Sequence, residues 1–184
     1  EWGAYLGEDN MKNGIRIRTS SFTRHHGHAS LSKAKTNGNY VNSMMALQEA
    51  LNEGYDEALM LDVKGFASEG SGENIFIVSA NTIYTPDLSS ALPGITRDTI
   101  FTLAAAIGYE IVEKNITCDD IYNADETFFT GTAAEVTPVR ELDGRKIGSG
   151  TRGPVTEKLQ SLYFDCVHGR NNQYLYWLAK GRCS

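Results

Sequence analysis

Two lysines, Lys33 and Lys35, stand in the stretch SKAKTNGNYVNS (Ser32–Ser43), just before a Gly-Asn-Tyr step and the onset of a helical pattern. A partly desolvated lysine amine loses its proton readily and can act as a covalent catalyst. On composition alone the two are equal candidates, and most lysines are simply solvated charges. ASEGSGENIF (Ala67–Phe76) sets two carboxylates, Glu69 and Glu73, among small residues that let backbone approach a ligand closely. Its plainer reading is a tight polar turn in which Glu73 or Asn74 bonds its own backbone. LPGIT opens a helix at a Gly-Ile-Thr step, where free N–H groups and the positive dipole end suit a phosphate. A simple N-cap by Thr96 is the alternative. TGTAAE interrupts a strand, as either a bulge or an amide nest for a carboxylate.

Each signal is weak alone. Together they supply a lysine, a tyrosine, a carboxylate and two anion-binding turns. That is the donor set pyridoxal phosphate needs: a covalent lysine, a partner for the pyridine nitrogen and a phosphate cup.

The elements that must position these groups follow from the rest of the chain. Its 184 residues suit one domain with a sizeable core, and 41% hydrophobic with 22% charged residues is ordinary for a folded chain. The net charge of −6 argues against nucleic acid and anionic membrane surfaces as partners, since both need a basic face. No apolar run approaches the roughly 20 residues of a membrane helix. Cys118, Cys166 and Cys183 are few, odd in number and far apart, which fits a reducing cytoplasm better than a disulfide framework. No metal spacing is present, and the loop histidines His25, His26 and His28 read as hydrogen-bonding or exposed groups rather than ligands.

IRIRTSSF (Ile15–Phe22) alternates like a half-buried strand. Met44, Met45, Leu47, Ala50 and Leu51 recur at helical spacing after Asn39, with Gly54 as the stop. EALMLDVKG reads as a strand and IFIVSANTIYTP as a hairpin. A helix follows LPGIT, with Ile95, Thr99, Ile100, Leu103 and Ala104 as its apolar stripe and Gly108 at its end. EIVEKNI and ETFFTGTAAEVTPV read as strands, the second broken by Gly131. DGRKIGSG reads as a hairpin turn and short strand, and GPVTEKLQSLYFDCV as a last amphipathic helix with Pro154 in its first turn. Hairpins mixed with crossing helices predict a mixed α/β (α+β) domain with antiparallel strands, not a doubly wound sheet.

AKTNGNYVNS, SEGSGENIF, SSALPGITRDTI and TGTAAEVTPV, in that order, resemble the fold-type IV, class IV pyridoxal-phosphate aminotransferases, and within them the branched-chain-amino-acid aminotransferases. EWGAYLG at the start and GPVTEKLQ near the end resemble that family too, so the likeness covers nearly the whole chain. It implies a mixed sheet or pseudo-barrel with flanking helices, a homodimer or larger oligomer, and transamination of leucine, isoleucine and valine with 2-oxoglutarate. Residue by residue, it implies that Lys35 binds the cofactor covalently and acts as base. Tyr40 would bond the phenolic oxygen and Glu69 the pyridine nitrogen. Leu92 would line the ring, while Ile95, Thr96 and Thr132 reach the phosphate side. Thr132 and Ala133 would face the substrate carboxylate, and Tyr5 would belong to the substrate pocket. On this likeness Lys33 is left as a solvated charge.

Family members also carry an N-terminal small domain with an arginine on the phosphate, and nothing in these residues matches it. The expectation is therefore a single large C-terminal domain over residues 1–184, binding cofactor weakly and nearly inactive by itself. A D-amino-acid aminotransferase, an aminodeoxychorismate lyase and a non-catalytic fragment are the alternatives. SGEN and TGTAAEVTPV resemble the branched-chain group more.

Overall fold

A computed structural model describes residues 6–31 and 33–178. Nine strands form one mixed sheet: β1 (Ile15–Thr19), β2 (Glu57–Leu61), β3 (Ala67–Gly70), β4 (Asn74–Ser79), β5 (Thr82–Thr85), β6 (Glu110–Glu113), β7 (Glu126–Gly131), β8 (Glu135–Leu142) and β9 (Arg145–Lys146). Their order is β3-β2-β1-β8-β7-β4-β5-β6, with β9 beside β8. The β1–β2, β1–β8 and β5–β6 pairs are parallel and the others antiparallel. The helices are α1 (Glu8–Asn13), α2 (Tyr40–Asn52), α3 (Ile95–Ala106), α4 (Cys118–Tyr122) and α5 (Pro154–Val167).

β3 and β4 stand at opposite ends of a six-strand run, yet three residues join them and Gly70 N–H bonds Glu73 O at 2.7 Å. The six strands must therefore curl round until their ends nearly meet, which is the pseudo-barrel the resemblance implies. The continuous apolar run of β4 follows from burial on both faces. Ile75 and Ile77 join Ile15, Ile17, Leu59 and Phe129 in one core. Phe76 and Val78 turn the other way, onto Ile100 and Leu103 of α3 and Leu159 and Tyr163 of α5.

Several elements differ from the sequence reading. β1 stops at Thr19, because Ser20 and Ser21 turn aside to bond Glu49. α2 buries its small residues, Ser43, Ala46 and Ala50, while Met44, Met45 and Leu51 are exposed. Short side chains let the helix lie close on Ala58 and Met60 of β2. The α3 stripe is likewise shifted: Ile95 is exposed and Arg97 is buried, bonded to Pro86 O and paired with Glu113. ETFFTGTAAEVTPV is two antiparallel strands, so TGTAAE is a turn and not a bulge. The strand β3 and the short helices α1 and α4 add to the elements expected from sequence. Cys118 and Cys166 are free thiols, as expected, and Cys183 lies outside the described residues.

Candidate active site

The lysine loop leads into α2 through a single 3-10 turn, Asn37–Asn39. Buried Asn39 ties that loop together: its amide donates to Leu31 O (3.0 Å) and Ala34 O (2.8 Å), and Ser30 Oγ bonds its carbonyl. Lys33 and Lys35 stay exposed on the loop, and both line one cavity of about 340 Å³. Tyr40, the first residue of α2, lines it half-buried.

The opposite wall is made by strand ends. Glu69 on β3 is only 6% exposed. Its Oε1 lies 2.6 Å from Arg24 Nε in a buried ion pair, and its Oε2 accepts Leu92 N–H at 2.9 Å. Burial pushes the Glu69 carboxyl up, while the Arg24 guanidinium, the Leu92 amide and the Lys35 charge oppose it. A carboxylate so buried would be neutral without its cation; the guanidinium beside it favours the ionised form.

Asn74 of β4 donates to Leu92 O at 2.8 Å and so fixes the LPG corner ahead of α3. Gly94 packs tightly there: an added Cβ would lie 2.3 Å from Asn74 Oδ1, so one of the two would have to shift. Gly94 is also the N-cap of α3, and no side chain caps that end. Thr96 is thus not the cap considered from sequence. It sits buried at the second helical position, and the first amides keep the orphan character that suits an anion.

The turn between β7 and β8 supplies the third side. Thr130, Gly131 and Thr132 line the cavity, and the buried Thr130 Oγ1 has no hydrogen-bond partner. Glu135, the first residue of β8, closes the turn in the left-handed conformation at φ 55°. The cavity therefore gathers Lys35, Tyr40, Glu69, Leu92, Ile95, Thr96 and Thr132. Ala133 is exposed on the same turn but does not line it. Tyr5 lies outside the described residues. His26 and His28 stack at 5.3 Å on the surface, and among the described residues no side-chain cluster suits a metal.

Sequence reading missed Arg24, Asn39, Asn74 and Thr130. Nothing marks Arg24 among the basic residues of TRHH before the fold buries it. Asn74 reads in sequence only as a turn residue bonding itself. The donor set fits a pyridine ring bearing a phosphate: an amine, a phenol, an ion-paired carboxylate, an uncapped helix start and a buried hydroxyl without a partner.

Residues 3–142 match the family model for class IV amino-transferases. A branched-chain-amino-acid aminotransferase of Pseudomonas aeruginosa is 62% identical over 176 residues, 96% of this chain and 57% of the relative. One from Escherichia coli is 44% identical over 178 residues, 96% of this chain and 58% of the relative. A crystal structure of a branched-chain amino acid aminotransferase with pyridoxamine 5'-phosphate, its source abbreviated T.th., superposes at a TM-score of 0.94 with 50% identity, over 97% of this chain and 59% of that one. The Thermoproteus uzoniensis enzyme with norvaline gives 0.91 and 44%, over 97% and 58%. The chain spans less than three fifths of the length of these relatives. No helix among the described residues is long and apolar enough to cross a membrane. The family match, the fold and the ordered motifs agree: the chain belongs to the class IV aminotransferases.

Proposed function

We propose that this chain is the large, cofactor-binding domain of a pyridoxal-phosphate enzyme that transaminates leucine, isoleucine and valine with 2-oxoglutarate in the cytoplasm. The observation that carries this reading is the buried Arg24–Glu69 ion pair facing the same cavity as Lys35. Bound there, pyridoxal phosphate supplies an electron-accepting ring conjugated to the substrate nitrogen.

Each residue of the chain then has a definite task. Lys35 Nζ would hold the cofactor and would accept the proton of the substrate α-carbon. Glu69, with the Arg24 guanidinium favouring its ionised form, would hold a proton on the pyridine nitrogen. The Tyr40 hydroxyl donates to the phenolic oxygen. Ile95 and Thr96 offer amides to the phosphate with Thr132 beside it, and Leu92 lines the ring. Thr132 and Ala133 offer amides to the substrate carboxylate, and Tyr5 contributes to the substrate pocket. The phosphate anchor fixes the reacting carbon against the amine.

The exposed side of α2, with Val41, Met44, Met45 and Leu51, supports assembly as a homodimer or larger oligomer, since apolar stripes of this kind are usually covered. The decisive experiment incubates the full-length protein containing this domain with pyridoxal phosphate, the three amino acids and 2-oxoglutarate, and measures glutamate. Borohydride reduction and peptide mapping should then place the pyridoxyl group on Lys35. Activity confined to D-amino acids, or an adduct on Lys33 alone, would overturn the assignment.

A further inference from the structure

Glu73 lines the cavity, and a second buried carboxyl, Glu57, bonds the same turn behind it; the proposed function gives neither a task. Glu57 on β2 is fully buried and Glu73, at the start of β4, is 6% exposed. They bond successive amides of one turn: Ser71 N–H donates to Glu57 Oε1 at 3.3 Å, and Gly72 N–H to Glu73 Oε2 at 3.0 Å. Glu57 Oε1 also accepts Ala58 N–H at 2.6 Å, while its Oε2 is buried with no partner. Glu73 is wedged against Gly70, where an added Cβ would lie 2.8 Å from Glu73 Oε2.

No ion pair among the described residues reaches either group. The cations of the neighbouring elements are engaged elsewhere. Arg24 pairs with Glu69; Arg16 pairs with Glu141, and Arg18 with Glu53 and Asp143. Lys35 acts on Glu69. Glu69, on β3, adds a third negative charge facing Glu73. Across from Glu57, β1 presents apolar Ile17, and neighbouring Asp56 accepts Arg16 N–H. From β7, Phe129 and Gly131 close in without charge. Two buried carboxylates at one turn with no cation between them cannot both ionise cheaply.

We propose that Glu57 and Glu73 share one proton beside the cavity, and that this proton, by removing one of two buried negative charges, sets how well the cavity accepts an anionic ligand. The unpartnered Glu57 Oε2 is an oxygen free to carry that proton. Burial and the charges of Glu57 and Glu69 push the Glu73 carboxyl up to about 8, and burial raises Glu57 as well. Above that pH the pair gains a charge beside the cavity that would take a phosphate or carboxylate. These are positioning residues, acting through the field they impose on the cavity.

The role in ligand binding rests on the cofactor reading; the proton itself does not. It is read in ligand-free protein by carbon-13 NMR of labelled glutamate carboxyls. The expected result is one carboxyl that stays protonated from pH 6 to near 8, and a Glu57→Gln variant in which the Glu73 titration moves at least one unit lower. Wild-type carboxyls that all titrate below pH 6, or a Glu73 titration unmoved in Glu57→Gln, would overturn the pair. Inorganic phosphate is the binding probe. Its affinity should weaken several-fold between pH 7.5 and 9 in the wild type, and the loss should shrink in Glu73→Gln. An equal loss in both proteins would overturn the electrostatic role. Absence of transamination would sink the proposed activity without touching either result.

Discussion

The two long walls of the cavity are built in opposite ways. One is made of strand ends: Glu69 is clamped by Arg24 and the Leu92 amide, and Leu92 is clamped in turn by Asn74. The other is a loop on which Lys35 is exposed and Asn39 alone does most of the bonding. A group that must hold a charge at one ring atom gains from a rigid frame. An amine that must bond, release and carry a proton needs room to swing. The contrast assigns electrostatics to the sheet and motion to the loop.

The strongest way to break that contrast is Lys35→Ala. It should abolish both turnover and the reducible cofactor adduct, read by peptide mapping, while the melting temperature barely moves because the side chain is exposed. Next comes the clamp. Arg24→Gln leaves Glu69 buried without its cation, a change that costs roughly 3–5 kcal/mol when a buried pair is split. Glu69→Gln leaves Arg24 in the same position and also weakens the electron sink, by about 3–4 kcal/mol in the barrier. The double variant should melt higher than either single one while remaining catalytically poor, and urea unfolding with single-turnover kinetics reads both.

A smaller effect is expected from Gly94→Ala. Its methyl collides with Asn74 Oδ1, so the α3 entry or the Asn74 side chain must shift, at a cost of roughly 1–3 kcal/mol. Phosphate affinity should fall more than leucine turnover at saturating cofactor. The smallest effect on activity is expected from Asn39→Ala, which removes three loop hydrogen bonds worth about 1 kcal/mol each. If the loop wall is the mobile one, hydrogen exchange of residues 33–39 should speed up while β3 and β4 stay protected. Equal loosening of both walls would dissolve the distinction.

Much of this was legible in the sequence because chemistry and chain geometry coincide there. AKTNGNY, SEG, LPGIT and TGTAA each keep their working groups within a few residues, so spacing survives into the fold. Arg24 was not legible, because its partner is supplied by a distant strand and only burial turns a surface-type residue into a clamp. The face of α2 was misread for a similar reason. Large apolar residues at helical spacing look like a core stripe, and only the closeness of β2 shows that alanines fit inward better. β3 is four residues long and holds a buried glutamate, so no hydrophobic alternation announces it. α4 was missed although its Thr117–Asp120 capping box lies within four consecutive residues, TCDD.

The position of β1 has a consequence for how the protein is made. Ile15 pairs beside Val139, so β1 must wait for a strand synthesised far later in the chain. Until β8 arrives, the edge of β1 has no partner on that side, and Thr130 and Thr132 have not reached the cavity. Lys35, Tyr40 and Glu69 are all translated well before then, yet the third side of their pocket is still missing. Cofactor loading should therefore follow the synthesis of β8, and the unpaired β1 edge is where a chain stalled before it would aggregate first.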